Sequence, residues 1–332
     1  MRERKIALLA LVFWLIMPSA RAGEEPVKLT RHGDQIEVQV GGQPFTTYFF
    51  GAESPKPYLH PLRSAQGTIV TRGWPMVKDI PGEDHDHIHH RAMFFAHGDI
   101  NGIDFWGESE LSKEAQTVNG RSYSSEGLTK GRTVFRKLDV MQSGPASGTM
   151  RAEFNLVGPD GKVIAEETQG YTFRGDSQSR IIDCEFTIRA NKTPVKMGDT
   201  KEGTFAIRVV KALAKPNVHM LNSNGGVGEE IWGKRADWVD YSGKVEGEEL
   251  GIAIFDHPSN PKHPTYWHAR DYGLFAVNPF GEHDFYNDPK RDGSVTIQPG
   301  GSLTFRYRVI IHHGDAKDAN LARAYGEYSE SK

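Results

Sequence analysis

A single cysteine, Cys184, stands among the 332 residues, so no intramolecular disulfide can form and the core must hold the fold. After the first two dozen residues no apolar run is long enough to cross a bilayer. Basic side chains do not outnumber acidic ones, 40 against 43 with a formal net charge of −3, which argues against nucleic acid as a partner. No glycine fingerprint opens a β-α unit and no cysteine pair is spaced for haem attachment, so dinucleotide and c-type haem chemistry lack their usual footholds. Solenoid repeats, heptads and long low-complexity segments are also missing.

What is present begins with a secretory signal: basic Met1 to Lys5, the apolar run Ile6 to Met17, and the small-x-small triplet Ala20-Arg21-Ala22. The expectation is an exported protein, periplasmic or extracellular, with a signal peptide over 1–22 and a mature chain starting near Gly23. Loss of that segment removes four cations and one carboxylate and takes the net charge to −6.

The mature chain reads as short strands. Val27 to Thr30, Gln35 to Val40 and Phe45 to Phe50 are separated by glycine-bearing turns, and Thr133 to Met141, Thr149 to Val157 and Val163 to Phe173 form a second meander with Gly158-Pro159-Asp160-Gly161 as a hairpin turn. Residues 109–131 are polar and rich in Ser and Gly, as a surface excursion would be. Ile181 to Arg189 and Leu303 to His312 alternate most clearly, and Cys184 falls in step with Ile182, Phe186 and Ile188 as a buried thiol. One helix is expected, Asp315 to Ser329, with Asp315 as N-cap. The fold class is therefore all-β, an antiparallel β-sandwich occupying 23–332 as a single domain.

Three polar blocks need a chemical explanation. The first is Asp84-His85-Asp86-His87-Ile88-His89-His90-Arg91, which runs into Ala92-Met93-Phe94-Phe95-Ala96-His97 and with that run holds five of the fourteen histidines. If residues 85–89 are extended, His85, His87 and His89 share one face and His90 points away. His87 and His89 would then be the ligands of a divalent transition metal, completed by His97, Asp99, Glu202 or His268. The spacing matches no familiar metal motif, and the favoured reading has no cofactor, the histidines serving as hydrogen-bonding and acid-base groups. The second block, Gly198 to Arg208, brackets Asp199, Lys201 and Glu202 with glycines. In the third, residues 255–273, a proline-stiffened loop closes on Trp267, His268, Arg270 and Tyr272. Tyr58 and His60 are candidates either for a pocket rim or for a packed loop.

Together these blocks resemble those of the secreted bacterial PmoA-like family: Asp86 to Arg91, Gly198 to Gly203, Trp238-Val239-Asp240-Tyr241-Ser242-Gly243, and Trp267 to Gly273 followed by Asn278-Pro279-Phe280-Gly281. That label implies a methane oxygenase subunit, an integral membrane enzyme, and the missing membrane span argues against it here. By analogy of fold, the resemblance implies a supersandwich of the galactose-mutarotase kind and a carbohydrate ligand. The leading reading is an exported carbohydrate-active hydrolase, lyase or epimerase acting on a small-molecule or oligosaccharide substrate. Its proton-transfer candidates are His90, His97, Glu202 and His268. Arg91, Lys201, Arg208 and Arg270 would hold hydroxyl or carboxylate groups, while Trp106, Trp267 and Tyr272 line the substrate. The alternatives are a non-catalytic glycan-binding module and a metal-dependent oxidoreductase or oxygenase.

Overall fold

Strands that alternate apolar and polar residues bury one face, and two such sheets satisfy each other by packing face to face. In the computed structural model, which describes residues 23–108 and 128–331, that is the arrangement. Adjacent strands are antiparallel in both large sheets. The nine-stranded sheet runs in the order Val27–His32, Gln35–Val40, Gln43–Phe49, Tyr58–His60, Met93–His97, Gly203–Arg208, Leu274–Asn278, Thr265–Ala269, Arg235–Ala236. Facing it is an eight-stranded sheet, His219–Asn222, Trp238–Val245, Glu248–Asp256, Ser302–His313, Ser179–Arg189, Val163–Gly175, Gly148–Val157, Arg132–Gln142. The expected signal segment and most of the Ser- and Gly-rich stretch 109–131 lie outside the described residues.

Both strongly alternating segments behave as their pattern requires. Ile182, Cys184, Phe186 and Ile188 point into the core with Phe305, Tyr307, Val309 and Ile311 of the neighbouring strand, and burial raises the Cys184 thiol well above its usual range. The other face carries cross-strand ion pairs, Arg308 to Asp183 at 2.6 Å and Arg306 to Glu185 at 3.1 Å. The same sheet takes a polar network into the core. Gln169 donates to Glu167 at 2.6 Å and accepts from the hydroxyls of Tyr48 and Tyr171, each at 2.8 Å.

Burial moves Glu167 up to about 8 from 4.5. Its folded-state affinity for the proton exceeds that of the unfolded chain, so its stabilising contribution is full below about pH 4.5 and declines as pH rises towards 8. A Glu167→Gln variant, neutral throughout, is expected to melt with a flatter pH dependence and to exceed the wild type by a few kcal/mol at pH 8.5, at about 1.4 kcal/mol per pKa unit. Parallel melting curves from pH 5 to 8.5 would contradict the assignment.

The C-terminal helix corrects one expectation. It spans Leu321–Ser329, and Asn320, not Asp315, stands before it. Asp315 instead accepts from the amides of Lys317 and Asp318 at 2.8 and 2.9 Å and closes a separate turn, because an Asp side chain caps a turn as readily as a helix. A further short helix, Glu282–Phe285, carried no amphipathic signal.

Candidate functional site

Along the Met93–His97 strand, Met93 and Phe95 point into the core, while Phe94 and Ala96 point to the outer face of the nine-stranded sheet. There they join Tyr58, Ala206, Leu274 and Ala276, with Trp106 packed over them. Onto this apolar floor the segment before the strand folds back as a loop with a turn at residues 88–89. The expectation of an extended 85–89 segment therefore fails. His87 takes φ +43° and Ala92 φ +47°, left-handed values that cost a non-glycine residue energy and tend to persist where a side chain must be aimed.

The turn regroups the histidines. His85 leaves the cluster and stacks on Trp74 at 4.2 Å. His90, expected to point away, lies parallel to His87 at 4.7 Å and edge-on to His89 at 4.4 Å, above Trp106 at 6.0 Å. The His87 ring is also parallel to Tyr272, 5.4 Å between centroids. Burial, helped by the Lys56 charge at His89 and by the neighbouring histidines at His90, pushes both well below the usual histidine range, so both are neutral at physiological pH. His87 and His89 stand edge-on to each other, 5.7 Å between ring centroids, and among the described residues no group of three His, Cys, Asp or Glu side chains is placed to hold a metal ion.

Asp86 organises the charges. Its carboxylate accepts from Arg72 at 2.5 Å and Arg208 at 3.2 Å, and lies 2.8 Å from His87 Nδ1. Burial works against its ionisation, yet the His87 contact and the two guanidinium groups hold it well below the usual carboxylate range. Arg72 also donates to the His87 carbonyl at 3.0 Å and so fixes the turn. Arg208 lies over Tyr272 at 4.6 Å, and Arg270 bridges towards Tyr272 at 6.0 Å and Trp232 at 5.8 Å. The charges of Arg270 and Glu202 both act on Tyr272, which brings Glu202 to this neighbourhood.

At one flank, Arg91 grips Glu108 with two bonds of 2.5 and 2.8 Å and lies over Tyr58 at 5.3 Å. It anchors the wall. Lys56 donates to the Trp106 carbonyl at 2.6 Å and lies 3.4 Å from Glu108; burial brings it down to about 8 against the pull of Glu108.

The remaining candidates separate by strand parity. His97 shares parity with Phe95 and packs on Phe280 in the core, its Nε2 at 2.9 Å from the Gly198 carbonyl. A Cβ at Gly203 would stand 2.4 Å from its ring, so that glycine makes room for a structural histidine. Burial lowers His97 to about 4. Trp267, a candidate for lining the substrate, is fully buried between the sheets and donates to the Ala236 carbonyl at 2.9 Å. Trp106 has no exposed surface and packs over the apolar floor. His268 faces the site side of the sheet but is buried, with Nδ1 at 2.9 Å from the Lys201 carbonyl and a value lowered to about 4 by burial. Lys201 donates its amide to Asp284 at 2.9 Å. Asp199 meets His283 at 2.7 Å, not the histidine cluster. Tyr58 and His60 are packed.

Sequence reasoning missed Asp86 as the hub, along with Arg72, Lys56 and Glu108. A lysine wedged in Ser54-Pro55-Lys56-Pro57 was the one local sign among them, since a flexible cation in a stiff frame is held for a reason.

Fold and site define a two-sheet antiparallel β-sandwich bearing a histidine- and arginine-rich face. The chain belongs to DUF6807, a family of unknown function whose model matches residues 35–326. No curated protein matches the sequence. Similar solved structures include a provisionally assigned aldose 1-epimerase from Klebsiella pneumoniae subsp. pneumoniae, 10% identical with a TM-score of 0.37 over 92% of this chain and 87% of the other. A galactose mutarotase-like protein from Lactobacillus casei is 11% identical with a TM-score of 0.35, covering 86% of this chain and 100% of its own. The α-galactosidase from Lactobacillus brevis is 6% identical with a TM-score of 0.38, over 88% of this chain and 40% of its own. At such scores these likenesses carry nothing about what this chain binds. No helix among the described residues is long and apolar enough to cross a membrane.

Proposed function

We propose that the protein is an exported carbohydrate-active enzyme that moves a proton on a sugar substrate bound at the outer face of the nine-stranded sheet. The observation that carries this reading is the Asp86–His87 pair. An ionised carboxylate 2.8 Å from Nδ1 fixes the orientation of the imidazole, as the carboxylate partner of an acid-base histidine does. Neutral His90 and His89 supply hydrogen bonds to hydroxyl groups, Tyr272 offers a flat ring to a sugar face, and Arg270 with Glu202 borders the opening. Hydrolysis, elimination and epimerisation all begin with such a proton transfer.

The test is to incubate the purified chain, lacking 1–22, with oligosaccharides, uronides and oxidised sugars and follow products by proton NMR. Turnover of at least one substrate that is lost in His87→Ala supports the reading. Binding without turnover by the wild type would favour a glycan-binding module. No interaction with any member of the panel would end the carbohydrate assignment.

A further inference from the structure

Beneath the Asp86–His87 turn, Arg72 and Arg208 leave only 2% of their side chains exposed. Both direct a nitrogen at the same Asp86 oxygen. Two guanidinium groups thus share one carboxylate, and the repulsion between them adds to burial in lowering Arg72 to about 10. Hydrogen bonding is deficient as well. Arg72 Nε, Arg208 Nε and Arg208 Nη1 are buried without an acceptor, and so is His90 Nδ1. Buried donors without partners destabilise a fold, the more so where the group is charged. A fold that retains three such nitrogens in one place has a use for them.

We infer that this cluster is the binding site for the carboxylate of an acidic sugar, a uronic acid unit of the substrate. The inference rests on the carbohydrate reading above and names the substrate class within it. A monoanion supplies the charge and the acceptor oxygens that Arg72 and Arg208 lack, and Asp86 already shows that their geometry takes a carboxylate. Guanidinium groups form strong charge-assisted N–H bonds to carboxylates. The nearby charges of Asp86 and Glu202, both acting on Tyr272, make a dianionic phosphate the poorer match. Entry is from the rim, where Asp86 and His87 keep 23% and 14% of their side chains exposed. Once the carboxylate is seated there, the sugar ring falls beside Tyr272 and the histidines. A carboxylate held by two cations also acidifies the adjacent C–H of a uronate, the proton that a base such as His87 would remove.

Calorimetric titration of the wild-type chain with glucuronate, galacturonate, glucose, galactose and galactose 6-sulfate tests this without relying on any variant. The uronates are expected to bind at least tenfold more tightly than their neutral counterparts, with affinity falling as salt rises. In Arg208→Gln that preference should shrink below twofold. If Arg208→Gln does not fold, Arg208→Lys, which keeps the charge opposite Asp86 but not the fork, should lose most of it. Equal affinity for acidic and neutral sugars would overturn the carboxylate site and leave the carbohydrate reading standing. Preference for the sulfate ester over the uronates would overturn the carboxylate assignment, and binding of none would overturn both proposals.

Discussion

Replacing Asp86 by alanine is expected to destabilise the protein by about 3 kcal/mol, the scale seen when one partner of a buried ion pair is removed and its counterpart stays behind. Here two counterparts stay behind, because Arg72 and Arg208 both rest on this carboxylate and are almost wholly buried. The hold that Arg72 keeps on the His87 carbonyl would loosen with it. Asp86→Asn should cost less, since an amide oxygen still accepts, but the charge remains uncompensated. The pH dependence has a definite sign. Asp86 is depressed in the fold, so its contribution is present above the unfolded carboxylate value near 4 and is lost as pH falls below it. Urea denaturation at pH 7 reads the effect directly, and a midpoint within 0.2 M of the wild type, well under what about 3 kcal/mol produces at usual slopes, would remove Asp86 from the centre of the site.

The second large effect divides the histidines into two kinds. His87→Ala is expected to reduce kcat/KM by about 10² to 10⁴, the usual range for a general acid-base group, with a loss of stability well below that of Asp86→Ala because the two arginines keep their carboxylate. His97→Ala should behave in the opposite way. It opens a cavity against Phe280 and removes the bond to the Gly198 carbonyl, so stability falls by about 2 kcal/mol or more while turnover per folded molecule is retained. Paired melting and initial-rate measurements on the two variants check both halves. Equal losses of activity at unchanged stability would mean that strand parity had assigned His97 wrongly.

Much of the fold was legible because alternation is a local property. Ile181 to Arg189 and Leu303 to His312 announce their buried and exposed faces residue by residue, and the structure extends them only to Ser179–Arg189 and Ser302–His313. Alternation also separates Trp267 from His268 and His97 from Ala96, but which parity meets the opposing sheet is set by partners far along the chain. That is why Trp267 and His97 were placed among the site residues. The histidine block misled for a different reason. A run of alternating His and Asp imitates a strand, whereas the left-handed turn at His87 depends on Arg72 binding its carbonyl from fifteen residues away. Asp86 was hidden by the same fact, since Arg72 comes from a segment with no motif of its own and nothing local ties Arg208, at the end of the second block, to this carboxylate. The C-terminal helix starts late because Asp315 caps its own turn, a choice that composition alone leaves open.

The location of the site is the claim on which the rest depends, and the sandwich offers a rival to it on the outer face of the eight-stranded sheet, a cleft of about 380 Å³ lined by Arg174, Asp183, Arg306, Arg308 and Tyr328. Histidine-ring NMR of the uniformly ¹⁵N-labelled wild type, titrated with glucuronate and galacturonate, distinguishes the two. The account predicts saturable shifts of the ring nitrogens of His87, His89 and His90, with those of His257, beside the rival cleft, unmoved. Shifts confined to His257, with the three rim histidines silent, would contradict it.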